Sequence, residues 1–189
     1  MLNKYNTGLI VVDIQGKLAR MVDDSEALIA NCAKLIKGAQ VLGMPIICCE
    51  QNPEKLGATV DELSALLAPA NPIAKFTFNA GEEPKFIDEI NAVQIRSNNI
   101  NKDKITTWLI CGIEAHICVY QTALHLQQLG YQIQLVTDCI SSRTPANKQL
   151  GINKLMSKGV DITGVEMCLY ELIKDCRSAE FKEILNIIK

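Results

Sequence analysis

Continuously apolar runs alternate along this chain with stretches whose apolar residues recur about every 3.6 positions. The runs TGLIVVD (7–13), PIICCE (45–50), ITTWLICG (105–112), YQIQLVTD (131–138) and the short DITG (161–164) read as strands. Their unbroken Val/Ile/Leu/Cys character predicts burial on both faces, as in a parallel sheet. Between them, SEALIANCAKLIKGAQVLG, PKFIDEINAVQIRSN, AHICVYQTALHLQQLG and TPANKQLGINKLMSKG carry the helical period. Gly43, Gly130 and Gly159 fall just after periodic stretches, where a left-handed C-cap belongs. Strands alternating with helices predict an α/β fold, a Rossmann-like doubly wound and mainly parallel sheet with helices on both faces, in three α/β/α layers. The longest irregular region is roughly 51–81, with Pro53, Gly57, Pro69, Pro72 and Gly81, and a loop of that length is usually functional or disordered.

The 189 residues fit one domain, 1–189, large enough to bury a core without staples. A net charge of −2 and the lack of any Lys/Arg cluster argue against a nucleic-acid partner or an anionic membrane. Apolar character from Gly8 to Val12 is too short for a signal-peptide core, and no stretch approaches the ~20 apolar residues of a membrane span. A cytoplasmic protein without a membrane partner is expected. Eight cysteines occur, none in a C-x-x-C pair, and seven read as buried, reduced thiols that pack as small hydrophobes. Cys118 needs a different account.

In open α/β sheets the site lies outside the carboxyl ends of the strands. Those ends collect Asp13-Ile14-Gln15, Glu50-Gln51-Asn52, Gly112-Ile113-Glu114, and Asp138 followed by Ser141-Ser142-Arg143-Thr144. Lys75 stands isolated in PIAKFTF. Cys118 lies about one turn into the helix after Gly112, where the macrodipole and free amides favour a thiolate and can hold an oxyanion. The only two histidines, His116 and His125, share that helix. His116, two residues away, faces another direction, and His125 lies roughly 10 Å along the axis at ~1.5 Å per residue. A Cys-His dyad is not expected. Asp13 ends a strand of Leu, Ile and Val, where an unpaired charge is costly, and a partner such as Lys75 offsets that cost and keeps both groups ionised.

Asp13 in LIVVDIQ, Lys75 in mid-chain and Cys118 in CGIEAHICVYQTA resemble the Asp-Lys-Cys triad of the isochorismatase-like cysteine hydrolases, over nearly the whole chain. EQNPEKLGATVDEL, DCISSRT and the tail FKEILNI are most similar to isochorismatase-domain-containing proteins of unassigned substrate. The resemblance implies a hydrolase with Cys118 as nucleophile, Asp13 as proton carrier and Lys75 as its partner. It also implies a cis peptide at Ile113–Glu114 and an oxyanion hole made by the backbone N–H groups of Glu114 and Cys118. It further implies a homo-oligomer, dimer or larger. The metal-binding branch of that superfamily has an Asp-x-His motif after the second strand. Here that segment is Glu50-Gln51-Asn52-Pro53, with no histidine before position 116, so neither a metal nor a cofactor is expected.

The expected chemistry is hydrolysis of a small amide or related C–N bond in a small-molecule substrate, through a thioester on Cys118. Gln15, Gln51, Phe76 and Phe78 are candidates for the pocket wall, and Arg143 either meets an anionic substrate group or caps a structural element. Two other readings are non-covalent hydrolysis of an enol ether with Asp13 as acid, and a non-catalytic binding or redox protein on the same fold.

Overall fold

Thr7–Val12 forms β1, buried at all six positions because the strand is covered on both faces. The computed structural model describes residues 1–68, 71–101 and 104–189. The other strands are β2 (Ile46–Gln51), β3 (Ile73–Lys75), β4 (Thr107–Ile113), β5 (Gln132–Ser141) and β6 (Asp161–Thr163). They pair in the order β3-β2-β1-β4-β5-β6, every pairing parallel.

The chain winds outward through β1, β2 and β3, then returns to the other side of β1 and winds outward through β4, β5 and β6. The topological switch falls between β1 and β4, and a ligand crevice opens there, at the strands' carboxyl ends. Val12 pairs with both Cys49 and Gly112, and Gln51 pairs with Lys75, so residues 13, 51, 75 and 113 end up near one level. Sequence alternation divides the core in two. Leu9, Val11 and Cys111 face α2 (Ser25–Val41), α8 (Val165–Ile173) and α9 (Phe181–Ile188). Ile10, Val12 and Ile110 face α5 (Pro84–Asn101), α6 (Tyr120–Gln128) and α7 (Pro145–Ser157). These are the two helical layers that the all-apolar strands require.

Three expectations need correction. The region 51–81 is not one irregular loop. It holds α3 (Pro53–Leu56), α4 (Asp61–Leu67), β3 and a 3-10 turn at Ala80–Glu82, while Pro69 lies outside the described residues. Elements of three to seven residues are too short to display a period. Nor does Asp138 end its strand: β5 runs on to Ser141, with a register shift against β4 between Ile110 and Gly112. The Asp138 carboxylate accepts the Val165 N–H at 3.0 and 3.1 Å, satisfying the first turn of α8. Lastly, the buried thiols are Cys32, Cys48, Cys49, Cys111, Cys118, Cys139 and Cys168, whereas Cys176 is exposed.

Gly112 marks where the sheet is tightest. Its φ is +126°, and a Cβ there would lie 2.0 Å from the Val12 carbonyl oxygen on the neighbouring strand. The substitution Gly112→Ala combines backbone strain with a clash against main chain that cannot rotate away. We expect a loss of at least about 3 kcal/mol in denaturant unfolding. A loss below about 1 kcal/mol would show that the β1–β4 junction yields more than its geometry implies.

Candidate active site

β1 stops because Asp13 takes a left-handed backbone, φ +53°, while its N–H still donates to the Cys49 carbonyl at 3.1 Å. That turn aims the carboxylate across the end of β2 rather than along the sheet. Lys75, the last residue of β3, reaches back over β2 to meet it. Its Nζ donates to Asp13 Oδ2 at 2.7 Å, and the two side chains are 0% and 2% exposed. Gln51 lies between them, its Oε1 accepting from Nζ at 2.7 Å. The carbonyls of Thr77 and Phe78 accept from the same nitrogen at 3.2 and 3.5 Å. The other Asp13 oxygen, Oδ1, is buried with no hydrogen-bond partner.

Cys118 approaches from β4. After Ile113 the chain passes Glu114, through a cis Ile113–Glu114 peptide, into a single π-helical turn, Ala115–Val119, that leads into α6. Gly151 of α7 packs against this turn so closely that a Cβ would sit 2.7 Å from the Ala115 carbonyl oxygen. Cys118 is buried within the turn, near enough to Asp13 and Lys75 for both charges to act on its thiol. Three residues from three separate strand ends thus meet in one dry place.

Burial sets the electrostatics. It pushes the Asp13 carboxyl above its ordinary value, and the attraction of Lys75, which pulls the other way, does not cancel it. The Cys118 thiol is pushed up to about 12, first by burial and then by the negative charge of Asp13, with Lys75 opposing. The expectation of a helix-activated thiolate is therefore corrected. Burial and the neighbouring carboxylate both favour the protonated thiol.

The histidines take no part in this group. His116 Nδ1 lies 3.0 Å from Ser142 Oγ, and His125 Nδ1 lies 2.9 Å from Asn79 Nδ2. Gln15 and Gln51, expected to line the pocket, have their amides engaged within the protein. Gln15 Nε2 donates to the carbonyls of Gln51 and Gly57 at 3.1 and 2.6 Å, and its Oε1 accepts the Gln51 N–H at 2.6 Å. Gln51 Nε2 donates to the Phe76 carbonyl at 2.8 Å. The two glutamines seat Lys75 and its loop. Phe76 and Phe78, 69% and 57% exposed, stand free on that loop. Glu50 points elsewhere, its Oε1 accepting from Thr59 N and Oγ1, both at 2.7 Å.

Arg143 makes a structural contact through its backbone N–H and Nε, while its side chain is 54% exposed. Its backbone N–H donates to Glu114 Oε2 at 2.9 Å and its Nε to both Glu114 oxygens at 3.2 Å. The Glu114 side chain thereby ties the end of β4 to the segment after β5. Sequence reasoning missed this pair, and it missed the two carbonyls that hold Lys75, because main-chain acceptors leave no mark in a sequence. Among the described residues no group of three or more His, Cys, Asp or Glu side chains could hold a metal ion, and no helix is long and apolar enough to cross a membrane.

Comparison with known proteins agrees with the fold and its layout. Residues 7–167 match the isochorismatase domain. The chain is 30% identical over 185 residues to the secreted isochorismatase effector Isc1 of Phytophthora sojae, covering 98% of this chain and 85% of that protein. Some relatives are longer, and the chain spans 59% of isochorismatase domain-containing protein 1 of Danio rerio. Among solved structures, the MAR1 ribonuclease of Caenorhabditis elegans superposes with a TM-score of 0.87 at 29% identity, covering 99% of this chain and 91% of that one. The YcaC gene product of Escherichia coli, described as an octameric hydrolase of unknown specificity, superposes at 0.88 with 21% identity, covering 98% and 89%. The chain belongs to the isochorismatase domain family, on the three-layer α/β/α fold of the isochorismatase-like hydrolases.

Proposed function

We propose that the chain is a cysteine hydrolase that cleaves a small amide or related C–N bond through a thioester on Cys118. One observation carries this reading: the buried Cys118 thiol lies within the influence of the Asp13 carboxylate, whose Oδ1 has no hydrogen-bond partner while Oδ2 is anchored by Lys75. A buried acceptor without a donor is costly. Beside a nucleophile it is the place for the proton that the nucleophile must lose.

The steps follow from that placement. Sulfur attacks the amide carbonyl as the thiol proton passes to Asp13, so a thiolate never accumulates in water-like conditions. The backbone N–H groups of Glu114 and Cys118 take the developing oxyanion, with the Glu114–Arg143 contact holding the first of them in place. Asp13 returns the proton to the leaving nitrogen and the C–N bond breaks, leaving a thioester. Asp13 then accepts a proton from water, which attacks the thioester carbonyl, and the proton returns to sulfur as the acid departs. Lys75 stays charged throughout and limits how basic Asp13 becomes.

A raised carboxyl also suits an acid, which favours a second reading, protonation and hydrolysis of an enol ether by Asp13 without covalent chemistry. The name of the nematode relative raises RNA as a substrate. Here the net charge is −2 and the cation of the site is committed to Asp13, which supports a small molecule rather than a polyanion. Unpaired, mostly buried thiols accord with a cytoplasmic, reducing setting, and we assign the chain to it. The octameric fold neighbour supports our expectation of a homo-oligomer.

In an amide-hydrolysis assay, Cys118→Ala should lose turnover entirely while keeping its unfolding midpoint. Amide turnover retained in that variant would rule out the covalent route, and enol-ether turnover there would favour the second reading. Asp13→Asn should reduce kcat by about 10²–10⁴-fold, and a near-normal rate of Cys118 acylation would remove Asp13 as the base. The pH profile has a determined sign. Asp13 works ionised, so kcat/KM should fall as pH drops through its raised pKa, a limb lying above the ordinary 3.8. No further rise should appear through the ordinary thiol range near ~8.5; a rise there would mean that activity waits for a free thiolate.

A further inference from the structure

The ammonium of Lys75 has three N–H bonds, and four acceptors surround it: Asp13 Oδ2, Gln51 Oε1 and the carbonyls of Thr77 and Phe78. It has no donor left for a substrate anion. The amides of Gln15 and Gln51 are likewise spent on main-chain groups and on Lys75. The Glu114 carboxylate is held by Arg143. Asp13 Oδ1 is left, and it is reserved for the thiol proton. A charged substituent brought into this buried group would lose its water and find no partner, a cost of several kcal/mol in general.

The loop that encloses Lys75 offers something else. Its carbonyls at 77 and 78 turn in toward the ammonium and the carbonyl at 76 toward Gln51, which fixes this short segment beside the triad. The side chains of Phe76 and Phe78 are nevertheless exposed, while Phe86 is fully buried. Phe76 and Phe78, two residues apart and both exposed, stand on a pinned loop beside a triad whose side chains have no donor to spare, and mark a surface suited to an apolar contact.

We propose that the substrate is an uncharged amide bearing an apolar substituent, aliphatic or aromatic, that seats against Phe76 and Phe78. This specificity rests on the amide-hydrolase reading. The polar recognition is confined to the reacting carbonyl, and the rings supply the rest of the binding.

The test uses alkylation of Cys118, whose readout does not require turnover. Iodoacetamide, N-benzyl-iodoacetamide and iodoacetate each react by forming an S–C bond as iodide leaves and the thiol proton passes to Asp13. Rates at Cys118 are read by peptide mass spectrometry and divided by those at the exposed Cys176, which cancels the reagents' intrinsic reactivity. We expect the benzyl reagent to exceed iodoacetamide by about tenfold or more, the gain from burying one aromatic group. Iodoacetate should fall below iodoacetamide by a similar factor. Phe76→Ser with Phe78→Ser should bring the benzyl advantage down to about threefold or less. Equal rates for the three reagents, faster labelling by iodoacetate, or an advantage that survives loss of both rings would overturn the proposal. So would a change in native mass of the double variant, which would assign the rings to a subunit contact. The preference together with failure to hydrolyse any amide would sink the hydrolase reading and keep the apolar site. Amide turnover without the preference would do the reverse.

Discussion

The site is organised around one buried ion pair, Lys75 with Asp13. Neither charge can be taken from water alone without a cost of several kcal/mol, and removing one partner from such a pair typically destabilises by about 3–5 kcal/mol. Each is therefore placed by backbone that suits the other. Asp13 leaves β1 through a left-handed residue, Lys75 closes the short β3, and Gln51 on β2 bridges the gap between them. The parallel order of β3, β2 and β1 brings the three to one level. Gln15, which looks like a ligand-binding residue in the sequence, instead ties this arrangement to the loop at Gly57.

The same pair decides how the thiol behaves. A cysteine beside a lone cation would be a standing thiolate, open to any electrophile. A cysteine beside a carboxylate that is itself neutralised by a cation keeps its proton. In the proposed mechanism it also has a base at hand when a carbonyl arrives. Burial strengthens both effects, since it raises the carboxyl and the thiol together. In the proposed mechanism, low resting reactivity and readiness to attack both follow from this geometry.

Much of this was legible in the sequence because strand ends in a doubly wound sheet are predictable places. Strands with apolar residues throughout gave the parallel sheet, and the polar residues at their ends gave Asp13, Glu114 and Cys118. Lys75 stood out as a charge within an apolar segment. The rest was hidden for identifiable reasons. β3 and α4 are too short to show a period. Asp138 lies inside β5 because the register shift against β4 lengthens that strand, and a shift of one ladder has no composition of its own. Phe76 and Phe78 are indistinguishable from core residues until exposure is known. Helix position alone carries no sign of the burial of Cys118 or of the charge of Asp13, more than a hundred residues away, both of which raise the thiol.

The account stands on the thiol of Cys118 keeping its proton at neutral pH under the influence of Asp13. The direct measurement is the Cβ chemical shift of Cys118 against pH in protein carrying ¹³C-labelled cysteine, assigned by comparison with Cys118→Ala and followed in parallel in Asp13→Asn. The account predicts no titration of Cys118 until strongly alkaline pH, toward about 12. It predicts a downward shift of that titration in Asp13→Asn, where the raising charge is gone and Lys75 remains. A wild-type step at or below the ordinary thiol range near ~8.5, or a titration that Asp13→Asn leaves in place, would contradict it.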